Sequence, residues 1–343
     1  MELPSKNHQV VLRQRPEGLV RDDDVEIVAA PLPQPVDGEA LMRNVYLGMD
    51  ATVRTWLNRG EGYLPAVEIG EVVRCSSVGE IVSSRCDVYE PGDVVISLGN
   101  WQEYAVCRDD VYTTKLDRDT AMLPMLSVFG STGAAAYFGL LDVGRPKPGE
   151  TLVVSAAAGA TGSIVGQIGK IVGCRVVGIA GTDEKCAWVT EELGFDGCIN
   201  HRTDDVATRL RELCPDRVDI FFDNVGGPIL DAVLGHLAMH GRVVLCGAIS
   251  VYNDKGRPPG PANYLNLIGR RGRMEGFITL DHWDRFPECM DQLHEWAASG
   301  QLRWRETVVP GLDQCARALN MLFTGENTGK VVVQVAPDSP HPG

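Results

Sequence analysis

The stretch Ser155 to Lys170, SAAAGATGSIVGQIGK, contains a turn whose residue types and spacing could bind phosphate. Gly159 would let backbone N–H groups approach a pyrophosphate, and Gly162 would let the following helix pack closely on the preceding strand. A helix amino terminus also presents partial positive charge to an anion. Ala157 stands where such turns usually begin with glycine, so a purely structural turn is the alternative. The spacing favours a dinucleotide pyrophosphate, held by Gly159, Ala160, Thr161 and Gly162.

The end of the second predicted strand, RVVGIA, bears on which dinucleotide would bind. An NAD site usually has an acidic residue about 20 residues past the glycines, whereas the 2′-phosphate of NADP needs cations. Gly181 and Thr182 stand where the acid would be, and Lys185 follows on the next turn. This pattern favours NADP(H). The alternative is that Lys185 is a solvated charge on a helix face.

Polar side chains follow the fourth and fifth predicted strands, FFDNVGG and LCGAISVYN. Ligands of open α/β sheets bind outside the carboxyl ends of the strands, where these residues would converge around a nicotinamide. They are Asn224, Cys246, Ser250 and Tyr252. The alternatives are that Gly226 and Gly227 only start a helix and that Tyr252 only caps a domain interface.

Two other kinds of chemistry find little support in the sequence. His236 and His240 have the i,i+4 spacing of a metal pair, but the LAM between them lacks the glutamate of H-E-x-x-H, and no third ligand is suggested. No G-x-S-x-G elbow follows a strand, as a serine hydrolase of the α/β type would require. We therefore expect neither a metal site nor a hydrolase.

From about Gly149 onward, strands alternate with helices. Continuous Val- and Ile-rich runs are typical of strands that are covered on both faces, as in parallel sheets. Six such runs predict a doubly wound α/β domain of the Rossmann type. The predicted helices are Ser163–Val172, Asp183–Leu193, Asp204–Leu213 and Pro228–Ala238.

The chain of 343 residues exceeds the roughly 250–300 at which one core stops growing, so we expect two domains. Short apolar runs broken by turn signals predict a β-rich domain up to about Met125. The tail returns to strand, helix and strand, with a helix predicted over Asp313–Phe323. The final strand, in GKVVVQV, could belong to either domain.

Composition and charge exclude several classes of partner. The formal charge of −14 argues against nucleic acid, which draws on Lys and Arg for affinity. No apolar run approaches the ~20 residues of a membrane span, and the amino terminus lacks the features of a signal peptide. Ten cysteines without a C-x-x-C pair predict reduced, metal-free thiols. We therefore expect a cytoplasmic protein with no nucleic-acid or membrane partner.

Several long segments, in order, resemble the zinc-independent medium-chain dehydrogenase/reductases. They include AAAGATGSIVGQIGKIVGCRVVGIAGTDEKC, FFDNVGG, CGAISVYN, RMEGFI, GENTGKVVV, YLPAVEIGEVV and WQEYAV. The most similar branch contains leukotriene B4 12-hydroxydehydrogenase/prostaglandin reductases, plant alkenal double-bond reductases and bacterial curcumin reductase. The resemblance implies a GroES-like catalytic domain over residues 1–125, a Rossmann NADP(H)-binding domain over 126–309, and a segment 310–343 that returns to the catalytic domain. It further implies NADPH-dependent reduction of the C=C bond of α,β-unsaturated ketones or aldehydes, and a homodimer.

The resemblance also assigns roles to individual residues. Lys185 and His201 would bind the 2′-phosphate, and Tyr252 and Tyr63 would face the substrate, with Tyr252 assisting at its carbonyl. The remaining residues would line the nicotinamide half or contact the cofactor: Asn224, Cys246, Ile249, Ser250, Phe277, Ile278 and Asn327.

Two positions depart from the family pattern. Ala135 replaces a threonine expected near the nicotinamide, and Gly269 replaces a tyrosine of the mammalian and plant members. The second departure favours Tyr252 as the hydrogen-bond donor, since a neutral phenol can stabilise a developing enolate oxygen. Two alternative functions stay open at this point: an NADPH quinone oxidoreductase, and a non-catalytic NADP(H)-binding protein.

Overall fold

A computed structural model describes residues 3–60, 62–256 and 258–338. Residues 1–2 and 339–343 of the predicted terminal segments therefore lie outside the described residues. The chain forms two compact units by its internal contacts, residues 127–305 and residues 1–126 with 306–343. No helix in the described ranges is both long and apolar enough to cross a bilayer.

Fifteen strands are present in the described residues. They are β1 (Lys6–Leu12), β2 (Val25–Pro31), β3 (Glu39–Met49), β4 (Ser77–Ser84), β5 (Val94–Ser97), β6 (Tyr104–Arg108), β7 (Thr114–Leu116), β8 (Thr151–Ser155), β9 (Arg175–Ala180), β10 (Gly197–Asn200), β11 (Val218–Asp223), β12 (Leu237–Leu245), β13 (Arg273–Gly276), β14 (Glu306–Pro310) and β15 (Lys330–Gln334).

The α-helices are α1 (Thr52–Trp56), α2 (Met122–Met125), α3 (Ser131–Phe138), α4 (Ala160–Val172), α5 (Asp183–Ala187), α6 (Val206–Leu213), α7 (Gly227–Leu234), α8 (Asn266–Arg270), α9 (Phe286–Ala298) and α10 (Cys315–Thr324). Single π turns extend α3 over Gly139–Gly144 and α5 over Trp188–Glu192. Short 3₁₀ segments span Ile249–Val251, Ala262–Leu265, Thr279–Arg285 and Leu312–Gln314.

The unit of residues 127–305 is built on a six-stranded sheet in the order β10-β9-β8-β11-β12-β13. Every neighbouring pair in this sheet is parallel. All five residues of β8 are buried, as expected for a strand that helices cover on both faces. This is the doubly wound order of dinucleotide-binding domains, so the predicted Rossmann fold is confirmed.

Some predicted helix limits in this unit are wrong. The helix predicted over Pro228–Ala238 ends at Leu234, and Leu237 already begins strand β12. The apolar residues Leu237 and Ala238 fit both the end of a helix pattern and the start of a buried strand. The helix predicted from Ser163 begins earlier, at Ala160, because Gly159 is its N-cap. The helix predicted over Asp204–Leu213 begins later, because Asp205 is the N-cap and accepts a hydrogen bond from Thr208 N.

The other unit is built on a seven-stranded sheet, to which the end of the chain contributes two strands. Its order is β14-β15-β3-β4-β5-β7, with β6 also paired to β3. Strand β15 pairs antiparallel with β3, where Val332 lies opposite Gly48. The final strand thus belongs to the β-rich unit, as the family resemblance implies, and the GroES-like assignment of this unit is confirmed.

Candidate active site

The carboxyl edge of the parallel sheet gathers most of the predicted site residues. Because all six strands are parallel, the segments that follow them emerge on one side of the unit. These segments are Gly159–Gly162 after β8, Gly181–Lys185 after β9, His201 after β10, Asn224 after β11, Cys246–Tyr252 after β12, and Phe277–Ile278 after β13. One sheet edge therefore carries every predicted cofactor residue except Asn327.

The turn after β8 has the close backbone approach that the glycine pattern predicts. A Cβ atom at Gly162 would lie 2.3 Å from the Ala156 carbonyl oxygen, so only glycine lets α4 start this close to the turn. Gly159 is the N-cap of α4 and has no side chain to cap the helix. The amides of Ala160 and Thr161 in the first turn thus keep their hydrogen-bonding capacity for an anion.

Cationic side chains meet after strands β9 and β10. A Cβ atom at Gly181 would lie 3.3 Å from His201 Nε2 and 3.5 Å from Arg202 Nε, so the absence of a side chain at Gly181 leaves room beside both. Burial and the charge of Arg202 lower the pKa of Lys185. Partial desolvation and the charges of Arg202 and Lys185 likewise lower the pKa of His201. Cations that destabilise each other's charge in this way form a site suited to a dianionic phosphate.

Asp183, the first acidic residue after strand β9, is already engaged. Asp183 Oδ1 accepts a hydrogen bond of 2.7 Å from Asn200 Nδ2, which ties the start of α5 to the end of β10. Thr182, not Asp183, caps α5 by accepting a bond from Lys185 N. The cap thereby holds the backbone of Lys185, and the Asp183 carboxylate is occupied by the side-chain amide of Asn200. The arrangement fits NADP(H) better than NAD(H).

A buried carboxylate joins the ends of β8 and β11. Asp223 is fully buried and accepts hydrogen bonds from Ser155 Oγ at 2.8 Å and from the amides of Val225 and Gly226. Burial raises its pKa, while these donors oppose that rise. Asn224 donates from its side chain to the Ser155 carbonyl at 2.8 Å. The amide of Asn224 is thus fixed at the sheet edge, which leaves its oxygen as an acceptor.

The segment after β12 is fixed by the same network. Cys246 N donates to the Asp223 carbonyl at 2.9 Å, and Ile249 N donates to the Asn224 carbonyl at 3.2 Å. Burial and the charge of Asp223 raise the pKa of Cys246 to about 12, so its thiol stays protonated at neutral pH. Ser250 Oγ donates to the Val225 carbonyl at 2.6 Å.

Tyr252 folds back onto its own segment. Its hydroxyl oxygen accepts a hydrogen bond of 3.0 Å from Ala248 N, and the side chain is half-buried. A phenol oxygen that accepts from a backbone amide has a defined position. This geometry suits a group that donates to a substrate oxygen.

Phe277 and Ile278 follow the edge strand β13. The Phe277 ring packs 6.4 Å from the Phe222 ring, centroid to centroid, and fills the space where a side chain at Gly139 would start. Phe277 therefore has a packing role. Its predicted contact with the nicotinamide, like that of Ile278, stays a prediction.

Two predicted residues belong to the β-rich unit. Tyr63 is 48% exposed and shares a hydrogen bond of 2.9 Å with Thr52 Oγ1. Asn327 is buried and donates from its side chain to the Gly329 carbonyl. Their roles toward substrate and cofactor stay predictions.

The histidine pair does not share a helix. His236 lies between α7 and β12, and its Nε2 is 2.8 Å from the Cys214 carbonyl oxygen. His240 lies within β12 with a φ of 62°. The described residues contain no group of three or more His, Cys, Asp or Glu side chains that could hold a metal ion.

Both units match models of known protein families. Residues 8–114 match the family model described as the N-terminal domain of oxidoreductase, and residues 160–295 match the one described as zinc-binding dehydrogenase. The chain is 39% identical to the NADPH-dependent curcumin reductase of Escherichia coli, over 97% of this chain and 98% of the relative. It is 35% identical to the NADP-dependent 2-alkenal reductase of Nicotiana tabacum, over 96% and 98% of the two chains. It belongs to the zinc-independent medium-chain dehydrogenase/reductases.

A solved structure of this medium-chain family supports the same assignment. CurA of Vibrio vulnificus in complex with NADPH superimposes with a TM-score of 0.91 at 39% identity, covering 96% of this chain and all of that one. The likeness therefore extends over both units. The family resemblance stated from the sequence motifs is confirmed.

Sequence reasoning missed two residues of this medium-chain dehydrogenase/reductase site. Arg202 directly follows His201 in the segment NHRT, and its position just after a strand was the available signal. Asp223 stands within FFDNVGG, where a carboxylate directly after three apolar strand residues indicates a buried hydrogen-bonded group.

Proposed function

We propose that the protein is an NADPH-dependent reductase of the C=C bond of α,β-unsaturated ketones and aldehydes. The observation that carries the proposal is the Tyr252 hydroxyl, held by Ala248 N at the same sheet edge as the phosphate-binding turn. The names of the relatives point the same way, since one is a curcumin reductase and another reduces 2-alkenals, which are α,β-unsaturated aldehydes.

The residues present fit NADP(H). The first-turn amides of α4 would hold the pyrophosphate, and Lys185, His201 and Arg202 would hold the 2′-phosphate. Burial, and after it the charge of Arg202, lowers the pKa values of both Lys185 and His201, and a bound phosphate would favour the charged form of each, which supports this assignment. When bound, NADPH supplies the hydride that is added to the β-carbon of the substrate.

In the proposed mechanism, the protein stabilises charge on the substrate oxygen. Addition at the β-carbon moves electron density onto the carbonyl oxygen and produces an enolate, which then takes up a proton from solvent at the α-carbon to give the saturated carbonyl compound. Tyr252 donates a hydrogen bond to that oxygen, and the bond strengthens as the charge develops. The Ala248 amide keeps the phenol in place and polarises it as a donor. The role of Tyr63 toward the substrate stays a proposal that rests on the family resemblance.

A cofactor-consumption assay tests the proposal. NADPH oxidation should follow addition of a 2-alkenal or an alkenone, and the product should be the corresponding saturated carbonyl compound. Saturated aldehydes of the same chain length are the matched control and should be inert. Oxidation with quinones alone would indicate a quinone oxidoreductase, whereas tight NADPH binding without turnover of any substrate would indicate a non-catalytic binding protein. Either result would contradict the proposal.

We further propose that the protein forms a homodimer through the β13 edge of the parallel sheet. Strand β13 ends the sheet order, and nearby side chains are apolar and exposed, with Ile268 at 75% and Leu265 at 58% exposure. Large apolar side chains exposed this strongly are typical of an interface. Sedimentation should give twice the chain mass, and Ile268→Asp should shift it toward the monomer. A monomeric wild type would contradict the proposal.

A cytoplasmic location is likewise proposed. All ten cysteines are free and no disulfide joins them within the described residues, which suits a reducing compartment. Cell fractionation with a cytoplasmic marker tests the location, and recovery with secreted proteins would contradict it.

A further inference from the structure

A second cluster of cations lies at the opposite, amino edge of the parallel sheet. It lines a pocket of about 330 Å³, called here the basic pocket. Its lining residues are Arg145, Lys147, His240, Arg242, Arg271 and Arg273. Arg145 and Lys147 precede β8, and Arg242 lies beside Arg273, where the pairing of β12 with β13 begins. The carboxyl edge that carries the dinucleotide residues is at the other end of these strands.

The charge of the basic pocket is only partly compensated. Arg242 forms an ion pair with Glu150, so the charges of these two side chains cancel. Arg242 also donates to the Gly144 carbonyl. Across the described ranges of the chain, the side chains of Lys147 and Arg271 make no hydrogen bond or ion pair. A local excess of cations contrasts with the formal charge of −14 for the whole chain.

One buried donor in the basic pocket also lacks an acceptor. Arg273 Nε is buried and without a hydrogen-bond partner among the described residues, although the Glu275 carboxylate lies 3.7 Å away. A buried N–H of a charged group that is left unpaired is costly. Arg273 therefore has unused hydrogen-bonding capacity while it lines the basic pocket.

Several residues that line the basic pocket also have an unusual backbone conformation. Six non-glycine residues of the described chain have positive φ, and three of them line this pocket: Arg145 at 51°, His240 at 62° and Arg271 at 50°. Glycine is the residue that this conformation favours. Two arginines and a histidine at three such positions around one pocket indicate that the side chains themselves are needed there.

We propose that the basic pocket binds a multiply charged, phosphate-bearing anion. Arginine suits this ligand, because its guanidinium group can donate two parallel hydrogen bonds to one phosphate. The volume lies at the lower end of the range for small-ligand pockets, which favours a compact ligand over a macromolecule. The number of cations favours several negative charges over one. The site is independent of the proposed reductase activity and of its substrate.

Calorimetric titration with inorganic triphosphate, at physiological salt and with saturating NADPH, tests the proposal. NADPH blocks the cation cluster at the carboxyl edge, so the remaining binding reports on the basic pocket. We expect one saturable site. Arg271→Gly and Arg145→Gly should each weaken binding about tenfold, while the melting temperature stays within about 2 °C or rises, because glycine suits the positive φ.

Arg217→Gly is the matched control, since Arg217 also has a positive φ, 76°, but does not line the basic pocket. This variant should bind triphosphate like the wild type. Three results would overturn the proposal: no saturable binding, binding that NADPH abolishes, or equal loss in the control. A change in sedimentation mass for Arg271→Gly would also overturn it, because the cations would then serve a contact between copies of the chain.

Discussion

The Cβ atom of Ala157 occupies the space in front of Gly178. A Cβ atom at Gly178 would lie 2.8 Å from that of Ala157, closer than two such atoms can approach. The amide of Ala157 donates to the Ile179 carbonyl at 3.0 Å, so the turn is fixed against strand β9. The turn thus has alanine at position 157, where glycine is usual. The glycine at position 178 of strand β9 leaves room for the methyl group of that alanine.

Gly178→Ala should destabilise the protein by about 1–3 kcal/mol, because two methyl groups would compete for one space. Ala157→Gly in the same chain should recover at least ~1 kcal/mol of that loss. Chemical denaturation of the two single variants and the double variant measures the coupling. Gly269→Ala is the control, since nothing lies within 4 Å of a Cβ atom there. Additive effects in the double variant would show that the two positions do not compete.

Lys185→Ala and Arg202→Ala should each weaken NADPH binding by about tenfold to a hundredfold, because each removes a charge-assisted bond to the 2′-phosphate. NADH, which lacks this phosphate, should bind each variant as it binds the wild type. Fluorescence titration with both cofactors provides the comparison. Lys170→Ala removes a lysine from the last turn of α4 and should change neither affinity. Equal losses for NADPH and NADH would mean that the two cations act elsewhere.

NADPH affinity should rise as the pH falls from 8 toward 6. The pKa of His201 is lowered in the free protein, so its ring is mostly neutral at pH 7. A bound 2′-phosphate raises that pKa, and binding therefore takes up a proton. His201→Gln should remove this component and leave only the titration of the phosphate itself, whose second pKa is about 6. Identical pH profiles for wild type and variant would exclude His201 from the phosphate site.

Tyr252→Phe should lower kcat on an alkenone about a hundredfold, because one donor to the developing oxyanion is lost. NADPH affinity should stay unchanged. Tyr112→Phe, at an exposed position, is the control and should keep full turnover. Full turnover in Tyr252→Phe would assign the stabilisation of the enolate to another group, and Tyr63→Phe would then be the variant to measure.

The parallel sheet could be predicted from the sequence because its strands are buried runs of Val, Ile and Phe between clear turn signals. The limits of α7 could not, since Leu237 and Ala238 fit a helix face as well as the buried strand that they start. Strand β15 is likewise apolar, and only its pairing with β3 decides which sheet it joins.

The candidate site was predictable where a residue type has a local signature. Gly159 and Gly162 belong to a motif, and Lys185 lies at a fixed distance beyond it. Arg202 and the compensation between Ala157 and Gly178 depend on contacts between β9 and its neighbours, and no spacing along the chain encodes those contacts.

The pairing of β15 with β3 has a consequence during protein synthesis. Residues 127–305 form an uninterrupted stretch that can close its own core as soon as it leaves the ribosome. Strand β3 precedes this stretch in the chain, whereas its partner Lys330–Gln334 follows it. Strand β3 must therefore wait until residues 127–305 have been made before its pairing with β15 can form, so the β-rich unit completes its sheet after the parallel-sheet unit.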